Sequence, residues 1–132
     1  MKNFKLTVEA KKENLHKINS LIEKFVEEYD LNAKTQFDLQ LIIEEIAVNI
    51  CSYSYPDETG TLTIEMDYLD GDIKIVFIDN GIEFDPTKRV ITTQKNLQDA
   101  QIGGLGIHIV KQLSKKIEYK RENNQNKLTI II

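Results

Sequence analysis

The 132-residue sequence predicts an α+β fold, a two-layer sandwich in which helices cover one face of a mixed, mostly antiparallel sheet. Three observations predict it. Apolar residues recur at helical spacing in three segments and alternate with polar ones in short segments between them. Two polar stretches, Leu69-Asp70-Gly71-Asp72 and Asn123-Asn124-Gln125-Asn126, each join a pair of short segments and read as hairpin turns, which makes those strands antiparallel neighbours. The resulting order, βααββ, a loop, then αββ, packs as a layer of helices on a layer of strands.

Each element has its own signal. Phe4-Lys5-Leu6-Thr7-Val8 alternates apolar and polar, as a half-buried strand does. Residues 10–29 place Leu15, Ile18, Leu21, Ile22, Phe25 and Val26 on one helical face. Asn32 or Thr35 caps a second helix that runs to about Tyr53. Its centre, 39–51, is apolar on most sides, so it is a core helix with Cys51 as a core residue. Strands follow at 61–68 and 72–78. The polar stretch 86–101 has no period and reads as a loop with room for one helical turn. Residues 105–116 set Ile109, Val110 and Leu113 on one helical face, and strands at 117–121 and 127–132 close the chain.

Composition excludes several classes. Charged residues are 29% and the hydrophobic set 41%, an ordinary globular balance. No apolar run approaches the roughly 18 residues of a membrane span, so neither an integral membrane protein nor a membrane partner is expected. The first residues, MKNFKLTVEAKKE, hold no apolar signal region. One cysteine, Cys51, excludes an intramolecular disulfide and a cysteine-cluster metal site, and points to a reducing compartment, the cytoplasm. A net charge of −4 speaks against direct nucleic-acid binding. No repeat or linker divides the chain, so 1–132 is read as one domain.

Three motifs carry chemistry. On the core helix, Asp38, Glu45, Asn49 and Ser52 fall within a narrow arc at 100° per residue. Glu45 and Asn49 are one turn apart, a carboxylate able to take a proton beside an amide oxygen able to hold a hard cation. At the end of the 72–78 strand, Asp79-Asn80-Gly81 sets a carboxylate at the sheet edge, with a glycine beside it where the backbone can pass close to a ligand. Gly103-Gly104-Leu105-Gly106-Ile107 opens a helix, where unpaired amides and the helix dipole favour phosphate. Neither a P-loop nor a dinucleotide fingerprint fits there: no Gly-Lys-Ser/Thr follows, and Ile109 stands where the fingerprint needs Gly or Ala. His16 and His108 lie in no triad or metal-spaced pair.

Together and in this order, Glu44-Glu45-x3-Asn49, Asp79-x-Gly81 and Gly103-Gly104-Leu105-Gly106 resemble the N, G1 and G2 boxes of the GHKL (Bergerat-fold) superfamily. That superfamily is the ATP-binding domain shared by DNA gyrase B, a class of chaperones, histidine kinases and MutL. Within it the chain is most similar to the anti-sigma-factor serine/threonine kinases. The resemblance implies ATP and Mg2+ as cofactors and a role for each motif residue. Asp79 would accept from the adenine amine, and Gly81 would let the base lie against the backbone. Asn49 would ligate Mg2+. Gly103, Gly104, Leu105, Gly106 and Ile107 would wrap the phosphates with backbone amides, under a short lid at 87–102. Thr129 would reach the adenine through water. Glu45 would be the general base, while Glu44 turns about 100° away. Glu83 stands where many relatives carry a small residue or proline, and Tyr53 where many carry a histidine.

The resemblance implies a protein serine/threonine kinase that phosphorylates a small anti-sigma-factor antagonist, with a sigma factor as a further partner and a homodimer as its state. The alternative is a non-catalytic ATP-binding module whose lid gates a partner surface. A fragment of a histidine kinase ranks third, because that class has asparagine at the position of Glu45 and the chain lacks a histidine-bearing dimerisation helix pair.

Overall fold

The computed structural model describes residues 4–88 and 105–132. Strand β1 is Phe4–Glu9. A single 3₁₀ turn at Lys12–Asn14 leads into α1, Leu15–Glu28, so the first helix begins at the first residue of its apolar pattern and later than the expected residue 10. Helix α2 is Ala33–Tyr53, followed by β2, Thr61–Leu69, and β3, Asp72–Asp79. A 3₁₀ turn at Pro86–Lys88 supplies the one helical turn expected in the polar stretch. Helix α3 is Leu105–Leu113, and β4, Lys116–Glu122, and β5, Gln125–Ile131, end the chain.

The strands form one sheet in the order β1-β2-β3-β5-β4, and each of these neighbouring pairs is antiparallel. The sheet expected to be mixed is therefore antiparallel among the described residues. Strand β5 slips between β3 and β4, and this places the start of β5 beside the end of β3: Asp79 pairs with Asn126.

The core takes one side of each strand. Phe4, Leu62, Ile64, Met66, Ile73, Ile75, Phe77, Leu128 and Ile130 join Ile18, Ile22 and Phe25 of α1, the apolar face of α2, and Ile107 and Val110 of α3. Side chains alternate across a strand, so one parity inside means a single helical layer on a single sheet. An aromatic chain, Phe4–Phe25–Tyr29–Tyr68, with ring centroids 4.9–5.2 Å apart, ties β1 and β2 to α1. The opposite face carries Lys74, Lys116, Lys120 and Lys127 around Thr129 and Ile131.

Both hairpins close through two residues at positive φ, Asp70-Gly71 and Asn123-Asn124, the geometry of tight type I′ turns. The second turn is thus shorter than the four residues expected. Two asparagines tolerate the left-handed conformation, and Gln125 and Asn126 are released into β5, where they pair with Glu122 and Arg121. Of the two candidate caps for α2, Asn32 serves: its Oδ1 accepts from the Thr35 N–H at 2.8 Å. Asn32→Ala should lower stability by about 1 kcal/mol, read from urea unfolding; no change would mean the cap is idle. Cys51 is half-buried and not a full core residue, and burial pushes its thiol pKa up.

Candidate nucleotide site

The polar stripe on α2 divides once it is packed. Asp38 pairs with Lys34 at 2.8 Å, and Ser52 is exposed. Asn49 is 2% exposed, and its amide nitrogen meets no hydrogen-bond partner among the described residues. Glu45 is half-buried, one turn before it, while Glu44 faces solvent. The first turn of α3 lies directly against Glu45: a Cβ built on Gly106 would collide with the Glu45 carboxylate. Ile107 and Val110, fully buried, hold that helix in place.

Asp79, 2% exposed, ends β3 on the helical side of the sheet. Its Oδ1 accepts from the Gly81 N–H at 2.9 Å and from the Asn126 side-chain amide at 2.9 Å. Both bonds converge on one oxygen of the carboxylate. Burial pushes the Asp79 carboxyl above the usual carboxylate range. The bonds from Asn126 and Gly81, the nearby Ser54 hydroxyl and the Arg121 guanidinium act the other way and do not overcome it. The turn that follows is anchored to the end of α2, where the Ile82 N–H donates to the Ser54 carbonyl at 2.9 Å. That contact explains Gly81, because a Cβ there would strike the Ser54 carbonyl. The glycine is demanded by helix α2 before any ligand arrives.

A stability consequence follows from the raised carboxyl. The folded state holds the Asp79 proton more tightly than the unfolded state, so its contribution to stability is full below the unfolded value, about 4, and is lost as pH rises through the folded one. Asp79→Asn keeps an oxygen for Gly81 and Asn126. It should flatten that loss, leave the neutral-pH variant no less stable, and, on the adenine role that the resemblance implies for Asp79, weaken ATP binding by presenting a donor to the base amine. Urea unfolding across pH together with ATP titration checks both halves. Unchanged ATP affinity would remove the adenine role.

Three side chains that sequence reasoning passed over organise this corner. Asn126, 3% exposed, donates to Asp79 and to the Ile82 carbonyl at 2.6 Å, and its Oδ1 accepts from the Phe84 N–H at 3.2 Å, from Tyr119 and from Arg121 at 3.1 Å. Arg121 also donates to the Gly81 carbonyl at 2.8 Å. The Tyr55 hydroxyl accepts from the Asn80 N–H and donates to the Thr61 carbonyl, both at 2.7 Å, with Gly60 leaving room for its ring. A usable signal existed for Asn126 alone: Asn-Asn is a sufficient two-residue turn, which sets 126 inside the strand.

Other expected residues fall elsewhere. Thr129, expected to reach the adenine, lies on the outer face of the sheet among the lysines, because it is an odd number of residues from Asn126. Gly103, Gly104 and residues 89–102 of the expected lid lie outside the described residues, and Leu105 begins α3. Glu83 is exposed in a groove with Phe84, Asp85, Lys88 and Tyr119. Tyr53 packs its ring at a tilt against Phe84, with ring centroids 5.5 Å apart. His16 and His108 are exposed. Among the described residues no helix is long and apolar enough to cross a membrane.

Residues 8–132 match the family model described as a histidine kinase-like ATPase domain. The chain belongs to the histidine kinase-like ATPase domain family. An ATPase domain implies use of ATP, and all three motif regions fall inside the match. This histidine kinase-like ATPase domain is similar to the serine/threonine-protein kinase BtrW of Bordetella bronchiseptica, 27% identical over 101 residues, 75% of this chain and 71% of that protein. It is also similar to the serine-protein kinase RsbW of Halalkalibacterium halodurans, 24% identical over 125 residues, 91% of this chain and 76% of that protein. A serine-protein kinase RsbW of Bacillus cereus is 25% identical over 96 residues, 69% of this chain and 60% of that protein.

Proposed function

We propose that the protein is an ATP-dependent serine/threonine protein kinase. The observation that carries this reading is the pair on α2: a half-buried Glu45 and a buried Asn49, one turn apart, against the first turn of α3. The similarity to proteins named as serine kinases points the same way.

The residues fit the cofactors. Buried amides are almost always hydrogen-bonded, so the unpartnered end of the Asn49 amide suits a polar ligand, with nitrogen and oxygen interchangeable at that end. No cluster of three His, Cys, Asp or Glu occurs among the described residues. Mg2+ characteristically needs only one or two protein ligands beside phosphate oxygens and water, so Asn49 suffices as its protein contact. Bound Mg-ATP supplies the phosphoryl group and the counter-charge for its transfer. Asp79 receives the adenine amine, held in orientation by Asn126 and Gly81. The first turn of α3, with Leu105, Gly106 and Ile107, would offer backbone amides to the phosphates, the role that the resemblance also gives to Gly103 and Gly104. Glu45 accepts the proton of the attacking hydroxyl.

The protein substrate on this reading is a small anti-sigma-factor antagonist, phosphorylated on serine or threonine, with a sigma factor as a second partner. The test is transfer from γ-labelled ATP with Mg2+ in extract of the host. A small protein labelled on serine or threonine is the expected result. ATP binding without any labelled acceptor, in extract pretreated with phosphatase, would overturn the kinase reading in favour of a nucleotide-gated binding module.

A further inference from the structure

We infer that Gly106 is a positioning residue for the Glu45 carboxylate, the absent side chain at 106 being the space that the carboxylate occupies. The inference rests on the reading of Glu45 as the base, and adds to the phosphate role of the glycine a second one.

A Cβ at 106 would lie closer than 3.0 Å, a separation real Cβ atoms essentially never show, to the carboxyl carbon and both oxygens of Glu45. All three of these contacts are with the Glu45 carboxyl group. The contrast with Gly81 is informative. There the obstruction is the Ser54 backbone carbonyl, which is tied down by Ile82 and cannot yield. At 106 the obstruction is the far end of a flexible side chain. Helix α3 itself is held by Ile107 and Val110 in the core, so with an added methyl the carboxylate turns away and the helix stays. Alanine also suits the first turn of a helix better than glycine does. The substitution therefore leaves the fold intact and displaces the base. Displacement of a reacting group by about 1 Å can cost roughly 100-fold in rate.

The closing experiment measures label transfer from γ-labelled Mg-ATP to the acceptor protein of host extract by the full chain and four variants: Gly106→Ala, Glu45→Asp, Glu45→Gln and Gly106→Ala/Glu45→Asp. Gly106→Ala should lose about 100-fold in kcat with KM for ATP unchanged and an unfolding temperature no lower than wild type. Aspartate retracts the carboxylate by one methylene and makes room for the new Cβ, so the penalty of Gly106→Ala should shrink in the Glu45→Asp background. Equal loss in both backgrounds overturns the inference. So does wild-type transfer by Gly106→Ala, a rise in KM with kcat unchanged, or a lowered unfolding temperature, which would mean that the helix had yielded instead. Where Glu45→Asp is too slow to read, a crystal structure of Gly106→Ala decides: a Glu45 carboxylate still in place overturns it. Glu45→Gln separates the two levels. Full transfer by that variant removes the base reading and the inference with it, whereas lost transfer there and full transfer by Gly106→Ala removes only the inference.

Discussion

Glu45→Gln should lower phosphotransfer by roughly 100- to 10,000-fold while Mg-ATP still binds with wild-type affinity. Glutamine matches glutamate in size and keeps a hydrogen-bonding oxygen, so packing against Gly106 is preserved and only the ability to take a proton is lost. Nothing in the proposed nucleotide contacts passes through this side chain: Asp79 receives the base, and Asn49 and the α3 amides face the phosphates. Glu44 provides the internal control. It is exposed, a step of about 100° around the helix, and Glu44→Gln should transfer as wild type does. Parallel label-transfer rates and calorimetric titration with Mg-ATP check the pair. Equal rates for Glu45→Gln and wild type would exclude the general-base role, and lost ATP affinity would mean that Glu45 belongs to binding instead of chemistry.

Asn126→Ala should be the most damaging single change at the adenine end. It strips a donor from the buried Asp79 carboxyl and from the Ile82 carbonyl, and an acceptor from the Phe84 N–H and from Tyr119 and Arg121. Each buried group left unpaired costs about 1–3 kcal/mol. Tyr119 and Arg121 are only half-buried and can turn to water. The net loss should therefore be about 3 kcal/mol in urea unfolding, with ATP affinity falling alongside. A pH signature accompanies it. Asn126 is the strongest influence holding the Asp79 pKa down against burial, so without it that pKa rises further. The variant should be more impaired at neutral pH than under acid conditions, where Asp79 is protonated in both folded and unfolded chains. A stability loss below about 1 kcal/mol would show that water replaces the amide and that the hub is dispensable.

The extent to which the molecule was readable from its residues follows from the range of the interactions involved. Helix α2 was legible because its apolar period, its Asn32 cap and the Glu45/Asn49 spacing are relations between residues a few positions apart. The Asp79-Asn80-Gly81 turn was legible for the same reason, although the demand on Gly81 comes from Ser54, twenty-seven positions away along the chain. The start of α1 is less legible because polar Lys11, Lys12, Glu13 and Asn14 suit the exposed first turn of a helix as well as the 3₁₀ turn that they lead into or form. Thr129 and Asn126 differ from expectation for separate reasons: the adenine role of Thr129 comes from the resemblance alone, against its alternation with Leu128 and Ile130, and that of Asn126 is hidden by the turn. Reading the second hairpin turn as four residues put Asn126 in a loop and left β5 without an inward polar residue.

The amino-acid order alone determined the class of fold, the order of its elements and the three motif regions, because periodicity, caps and turn-forming residues act over single turns of chain. Only the tertiary structure decided which side chains meet. Strand register turns on whether a hairpin closes with two residues or four, and side chains alternate faces at every step. A two-residue Asn123-Asn124 turn brings Gln125 and Asn126 into β5, and the pairing of β5 with β3 sets Asn126 opposite Asp79 inside the sandwich, while Thr129, three residues on, faces outward by alternation. The packing of α3 against α2, equally remote in sequence, is what makes Gly106 the neighbour of Glu45.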